Sequence, residues 1–189
     1  MHEITGLLLA AGSASRFGGQ KLLTTIRDTP LIWHSAAALA PCDRVIAVVR
    51  DEDSELKQKL TSIGIEIAVN PKAHLGMASS LAHGVSASNT SDGWCILPAD
   101  MPFVSKETTR LVVDALRAGA EIAAPFHQGR RGHPVGFCKA CKDRLLALEG
   151  DFGAREILAR ASDLITPLEV NDPGILIDID TPRDLMDNE

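Results

Sequence analysis

Apolar residues in this chain fall into two patterns. Some form short unbroken runs; others recur every three or four positions. Ile4–Ala10, Arg44–Val49, Ile65–Val69 and Trp94–Asp100 are runs of the first kind, rich in leucine and β-branched residues, and read as strands. Pro30–Leu39, Asp51–Ile63, Met77–Ser88 and Lys106–Ala118 carry helical spacing. Pro30 sits near a first turn, and Gly64 and Gly119 stand where two of these helices stop. Ala120–Phe126 is a further strand. Strands alternating with helices of this length predict βαβ units and a mainly parallel sheet. The near-continuous apolar character of the first strands agrees, because a parallel sheet is covered on both faces.

From about residue 125 the alternation loosens. Residues 127–137, "HQGRRGHPVGF", read as a polar, Gly-rich loop entering a short strand. Helical stretches come next near Lys142–Leu148 and Ala154–Ala161, then strands near Leu164–Leu168 and Ile175–Ile179, and a last helix from Pro182. No repeat, low-complexity segment or linker interrupts the chain. The expectation is one Rossmann-like α/β domain over residues 1–189, mostly parallel, with helices on both faces and one reversed strand late in the chain.

Composition narrows the function. In 189 residues, 45% hydrophobic content is enough for a sizeable core. A net charge of −6 argues against a general nucleic-acid binder but not against a small anion held by a few local cations. No apolar run approaches the roughly 20 residues of a membrane span. The start "MHEITG" has no basic region and no cleavage site, so a cytoplasmic protein is expected. Cys138 and Cys141 form a C-x-x-C with no second pair after it. It reads as one helical turn with two small apolar side chains, with half a zinc site or a redox pair as the alternative.

The candidate chemistry begins at Leu7–Lys21, "LLLAAGSASRFGGQK". In an open α/β sheet ligands bind beyond the carboxyl ends of the strands, where this loop leaves the first one. Its glycines let backbone N–H groups approach an anion, and Arg16 and Lys21 add mobile positive charge. A triphosphate suits such a loop. It is not a P-loop, since Gly12 is followed by five residues before Gly18, nor is it a G-x-G-x-x-G fingerprint.

The loop resembles the L-A-[AG]-G-x-S-x-R-[MF]-G-x-x-K signature of nucleotidyltransferases that build sugar-like and cofactor nucleotides. Five more blocks extend the likeness: "NPKAHLGMASSLAHG" (Asn70–Gly84), "LPADMPFV" (Leu97–Val104), "GRRGHPVGF" (Gly129–Phe137), "GDFGAREIL" (Gly150–Leu158) and "DIDTPRDL" (Asp178–Leu185). In that order they are similar to the molybdenum cofactor cytidylyltransferases, MobA-like nucleotidyltransferases with the nucleotide-diphospho-sugar transferase fold. One departure is Met101, which stands where close relatives carry glutamine and removes a polar contact. Ala11 resembles the cytidylyl branch; the guanylyl branch has glycine there, leaving room for a purine.

The resemblance implies Mg2+-dependent transfer of CMP from CTP to molybdopterin or its metal-loaded form, with release of pyrophosphate. It also implies a recipient molybdoenzyme or its chaperone downstream. The alternatives are the guanylyl version using GTP, a sugar- or polyol-phosphate nucleotidyltransferase, and a non-catalytic cofactor-binding protein. Two anionic reactants repel, so the site needs cations and positioning more than covalent chemistry. Arg16 and Lys21 are the candidates for the β- and γ-phosphates. Leu9, Ala10, Ala11, Gly12 and Ser13 belong to the nucleotide loop.

Asp100, at a strand's carboxyl end opposite that loop, suits Mg2+. Asp178 and Asp180, two apart on the expected strand Ile175–Ile179, would share a face and could complete a metal site or bind the pterin. The alternative for Asp180 is capping the helix from Pro182. Asn70, Gly76, Ser79 and Ser80 lie between a strand and a helix, where they would contact nucleotide or, for the serines, cap the helix. By resemblance Arg130, Arg131 and His133 face the second substrate. Asp151 and Arg155 contact the acceptor, with helix capping the other role for Asp151.

Overall fold

The computed structural model describes residues 2–12, 17, 20–150 and 153–188; the side chains of Arg155, Glu156, Arg160 and Asn188 fall outside that description. The first stretch holds β1 (Ile4–Leu9), the two-residue strands β2 (Thr25–Ile26) and β3 (Thr29–Pro30), α1 (Leu31–Ala38) and β4 (Arg44–Val49). The middle holds α2 (Ser54–Ser62), β5 (Glu66–Val69), α3 (Met77–Ala87), β6 (Gly93–Pro98) and α4 (Lys106–Arg117). The remainder holds β7 (Ile122–His127), β8 (Arg130–Arg131), β9 (Val135–Cys138), α5 (Lys142–Leu146), α6 (Arg155–Arg160), β10 (Ile165–Glu169) and α7 (Pro182–Asn188).

One sheet runs β10-β7-β9-β6-β1-β4-β5, with β8 added against β7. β1 pairs in parallel with β4 and β6, as β4 does with β5 and β7 with β10. β9 is the reversed strand, antiparallel to both β6 and β7. The buried residues of β1 alternate between faces, as a strand's period of two requires. Ile4 and Leu8 pack with Ile32 and Ala36 of α1, Leu60 of α2 and Val112 of α4. Leu7 packs on the other face with Leu81 and Val85 of α3, Leu145 of α5 and Ile157 of α6. Helices therefore cover both faces of a mostly parallel sheet, as the patterning predicts.

The observed ends depart from expectation in ways that have causes. α2 starts at Ser54 and not at Asp51, because Arg50 folds back onto Asp53 through Nε at 3.1 Å and Nη2 at 2.9 Å and holds the turn between them. Pro30 precedes the first turn of α1 and does not lie within it. The expected loop after Phe126 is a hairpin: Phe126 and His127 pair with Arg131 and Arg130 around Gln128 and Gly129, both at positive φ. The C-x-x-C forms a single tight turn, Lys139–Cys141. Burial pushes the Cys141 thiol up to about 12, so it is an inert packing group.

The strand expected at Ile175–Ile179 does not form. Pro173–Leu176 is a 3-10 turn capped by Asp172, whose Oδ1 accepts from Gly174 N at 3.1 Å. Residues 177–180 then cross the ends of the sheet strands without joining them. Gly174 lies so close beneath Phe103 that a Cβ there would stand 2.0 Å from the Phe103 carbonyl oxygen. Asp172 Oδ2 also accepts from Ser105 N at 3.0 Å and from Thr108 Oγ1 at 2.6 Å, tying the segment to the start of α4. Ile179 is fully buried with Ile26, Leu31 and Leu185, so this strap and α7 close over the β2–β3 hairpin.

Candidate functional site

Register places the site. Leu9 aligns with Val48 on one side and Pro98 on the other, so β1, β4 and β6 end at one level. Ala10 N donates to Val48 O at 2.9 Å, Ala99 N to Leu9 O at 3.0 Å and Asn70 N to Val49 O at 2.8 Å. Ala10–Gly12, Arg50, Asn70 and Asp100 thus leave one edge together. Because β9 is reversed, the segment before it, with Gly132 and His133, reaches the same edge. After β1 the chain turns towards β4, and after β6 it turns the other way. The crevice between β1 and β6 is therefore the topological switch point, where such sheets bind ligands.

At that crevice stands Lys21, first residue of a 3-10 turn (Lys21–Leu23). Its Nζ donates to Asp100 Oδ2 at 2.8 Å and lies 3.4 Å from Asp180 Oδ1. Only 10% of its side chain is exposed, against 26% for Asp100 and 45% for Asp180. A lysine ammonium so withdrawn from water needs an anionic partner, and here it has two. The strap positions Asp180: Ile179 N donates to Asp100 O at 2.9 Å. At the start of α7 the capping hydrogen bonds run between Thr181 and Asp184. Asp184 Oδ2 accepts from Asp180 N at 2.9 Å and Thr181 N at 2.6 Å, and Thr181 Oγ1 accepts from Asp184 N at 3.4 Å, a reciprocal capping box. Asp178 is exposed on the same strap. Partial withdrawal from water raises its carboxyl from the ordinary value, and the neighbouring charges of Asp180 and Asp100 add to the rise. Asp178 and Asp180 keep company through this crossing and not through a shared strand face, which corrects the sequence expectation.

Beside the lysine lies a cavity of about 520 Å3. Leu9, Ala11, Gly12, Asn70, Gly76 and Ser80 line it, as does Asp100. A smaller cavity of about 290 Å3 adjoins it and includes Ala10, Gly12 and Lys21. Asn70 is buried and fully engaged: Nδ2 donates to Ser79 Oγ at 3.0 Å and Ser80 Oγ at 3.2 Å, and Oδ1 accepts from Lys72 N at 2.9 Å. Ser79 donates on to Lys72 O at 2.8 Å. Neither serine caps α3; Gly76 precedes it, and Ala78 N donates to Gly150 O at 3.1 Å. This network fixes the loop from Asn70 to Gly76 as one wall of the larger cavity.

Arg130 and Arg131 are exposed at the β7–β8 hairpin, and neither lines the two cavities. His133 is half-buried, with its Nδ1 sealed from solvent and unpartnered. Burial pushes this imidazole down to about 4, the nearby Arg131 charge adds to the fall, and Asp100 opposes it. Ser13, Arg16 and Asp151 lie outside the described residues, as does the Arg155 side chain. Sequence reasoning passed over Arg50 and Glu52, which line both cavities. Their signal was a charge run, "RDEDSE", set directly at a strand's carboxyl end. It also placed Lys21 on phosphate and did not foresee its pairing with two aspartates.

The fold and the charged crevice at its switch point are those of a nucleotidyltransferase. Residues 6–164 match the MobA-like NTP transferase domain, and the chain belongs to that family. It is 29% identical to the molybdenum cofactor cytidylyltransferase of Escherichia coli (strain K12), over 98% of this chain and 95% of that protein. It is 28% identical to the molybdenum cofactor guanylyltransferase of Cupriavidus pinatubonensis, over 99% and 96% respectively. The structure of Rv0371c from Mycobacterium tuberculosis H37Rv in complex with manganese superimposes with a TM-score of 0.83 at 25% identity, over 99% of this chain and 100% of that one. The enzyme class is thus fixed. No helix among the described residues is long and apolar enough to cross a membrane.

Proposed function

We propose that this enzyme transfers CMP from CTP to a molybdopterin-type acceptor and releases pyrophosphate. The observation that carries the reading is the convergence of Lys21, Asp100 and Asp180 on the switch-point crevice beside a nucleoside-sized cavity. The similarity to a cytidylyltransferase and a guanylyltransferase of the same cofactor supports the acceptor. Ala11 supports the base: it is buried and lines the larger cavity, so its methyl group takes volume that a purine would need.

In this reading Ala10–Gly12 offers backbone to the polyphosphate, with Ser13 and Arg16 completing the loop. Lys21 bears on the β- and γ-phosphates; at an effective dielectric of ~20, one unit pair at ~4 Å is worth about 4 kcal/mol. The fixed Asn70–Ser79–Ser80 network and Gly76 shape the wall for base and ribose. Arg130, Arg131 and His133 border the acceptor side, where a phosphate monoester would meet positive charge and a neutral imidazole. Asp151, Arg155 and Asp178 belong to that side by the same reading.

The donor set fits a nucleotide-borne Mg2+. Among the described residues no three His, Cys, Asp or Glu side chains could hold a metal by themselves. Asp100 and Asp180 present two carboxylates, and Mg2+ is usually held by one or two carboxylates with water and substrate phosphates. When bound there, the ion supplies charge neutralisation on phosphate oxygens. The test is a panel of CTP, GTP, UTP and ATP with molybdopterin and Mg2+, scored by pyrophosphate. CTP should lead. Pyrophosphate from none of the four, or release that does not need the acceptor, refutes the transfer.

A further inference from the structure

We propose that Lys21 fills the divalent-cation position between Asp100 and Asp180 in the nucleotide-free protein, so the site admits the ion only as a metal–nucleoside polyphosphate complex. This rests on the nucleotidyl-transfer reading and adds an order to it. The lysine ammonium sits 2.8 Å and 3.4 Å from one oxygen of each carboxylate. Mg2+ held by those oxygens would stand at about 2.0–2.1 Å from them and would require the space the ammonium now takes. Those two oxygens cannot serve the ion and the ammonium together.

Burial makes the occupancy firm. With 10% of its side chain exposed, the Lys21 ammonium has little water around it and takes its electrostatic partners from the two carboxylates. A free divalent ion entering the pair would evict the ammonium and offer it nothing in exchange. The tethered ammonium competes at a high effective concentration, and the bare ion loses. A polyphosphate reverses the balance. It supplies new anionic oxygens to Lys21 in the adjoining cavity, which Lys21 already lines, while its own bound ion takes over Asp100 and Asp180. The exchange needs only the end of a flexible side chain to move.

The carboxylates are held independently of the lysine. Ile179 N on Asp100 O and the Thr181–Asp184 capping box fix the backbone on either side of Asp180. Removing the Lys21 charge therefore takes a positive charge from beside two backbone-anchored carboxylates and raises their affinity for a cation.

The experiment is Mn2+ binding, read from loss of the free-ion electron paramagnetic resonance signal. The wild-type protein should bind Mn2+ alone at least about tenfold more weakly than it binds the preformed Mn2+–CTP complex. Lys21→Met should gain at least about tenfold in affinity for Mn2+ alone, and Lys21→Arg should not. Adding Asp180→Asn to Lys21→Met should abolish the gain. Wild-type protein that takes up Mn2+ alone as tightly as Lys21→Met overturns the proposal. So does wild-type protein whose Mn2+ affinity CTP leaves unchanged while CTP binds, an arm that needs no variant to fold. If Lys21→Met gains Mn2+ affinity but neither protein binds any nucleoside triphosphate, the cation stand-in holds and the nucleotidyl reading fails. If CTP–Mn2+ binds and Lys21→Met gains nothing, the reading survives and this inference fails.

Discussion

Asp172→Ala offers a test of how the strap is built, because one carboxylate makes three hydrogen bonds to two elements. Oδ2 accepts from Thr108 Oγ1 at 2.6 Å and Ser105 N at 3.0 Å, and Oδ1 accepts from Gly174 N at 3.1 Å. Hydrogen bonds to an ionised group contribute roughly 1.5–3 kcal/mol each when buried, and less where water reaches them. Asp172 is half-buried, so about 1 kcal/mol each is the fitting figure, and about 3 kcal/mol in all. In a chain of this size that lowers the melting temperature by roughly 6–12 °C. Urea titration followed by tryptophan fluorescence reads the loss directly. The strap also carries Asp180, so Asp172→Ala should lower kcat/KM for nucleotidyl transfer at temperatures where the variant is fully folded. A loss under about 1 kcal/mol with unchanged kcat/KM would refute the view that Asp172 holds the strap against α4.

Three further outcomes rest on the same geometry. Gly174→Ala would set a Cβ 2.0 Å from the Phe103 carbonyl oxygen, a backbone atom with no room to yield. It should destabilise by more than about 3 kcal/mol, seen as a collapse in melting temperature. His133 titrates at about 4 when folded and near ~6.5 unfolded, so it contributes nothing to stability above pH ~6.5. As pH falls from ~6.5 towards 4 the unfolded chain takes up a proton that the folded one refuses, costing on the order of 1 kcal/mol by pH ~5.5. His133→Phe should remove that share of the acid-side loss in urea titrations at about pH 5.5 and 7.5, and an unchanged difference between the two pH values contradicts it. Ala11→Gly should raise GTP use relative to CTP, measured as the ratio of kcat/KM values, and an unchanged ratio removes Ala11 from base selection.

The sheet was legible because burial on both faces leaves long apolar runs, and β4 matches its run residue for residue. α4 was readable from its helical spacing and from Gly119, which stops it; the Ser105 cap at its other end emerges only in the structure. Ile175–Ile179 misled because "ILIDID" alternates like a strand, yet its alternation comes from packing on one side against Ile26 and Leu31. Pro173, Gly174 and the Asp172 cap bend it before it can pair. The β2–β3 hairpin was invisible for another reason. Its two-residue turn puts Arg27 and Asp28 at positive φ, a conformation usually signalled by Asn-Gly or Gly-Gly. At the site, residue types at strand ends pointed to Lys21 and Asp100 separately. Their meeting with Asp180 spans 79 and 159 positions, and no local spacing encodes a contact made by sheet order and a returning strap.

The most direct measurement is anomalous X-ray scattering from crystals grown with Mn2+ and α,β-methylene-CTP. One manganese peak should stand within coordination distance of both Asp100 and Asp180, with the Lys21 Nζ withdrawn from them onto the polyphosphate. A nucleotide seated away from the β1–β6 crevice, or manganese bound elsewhere while Lys21 still bridges the two aspartates, would contradict it.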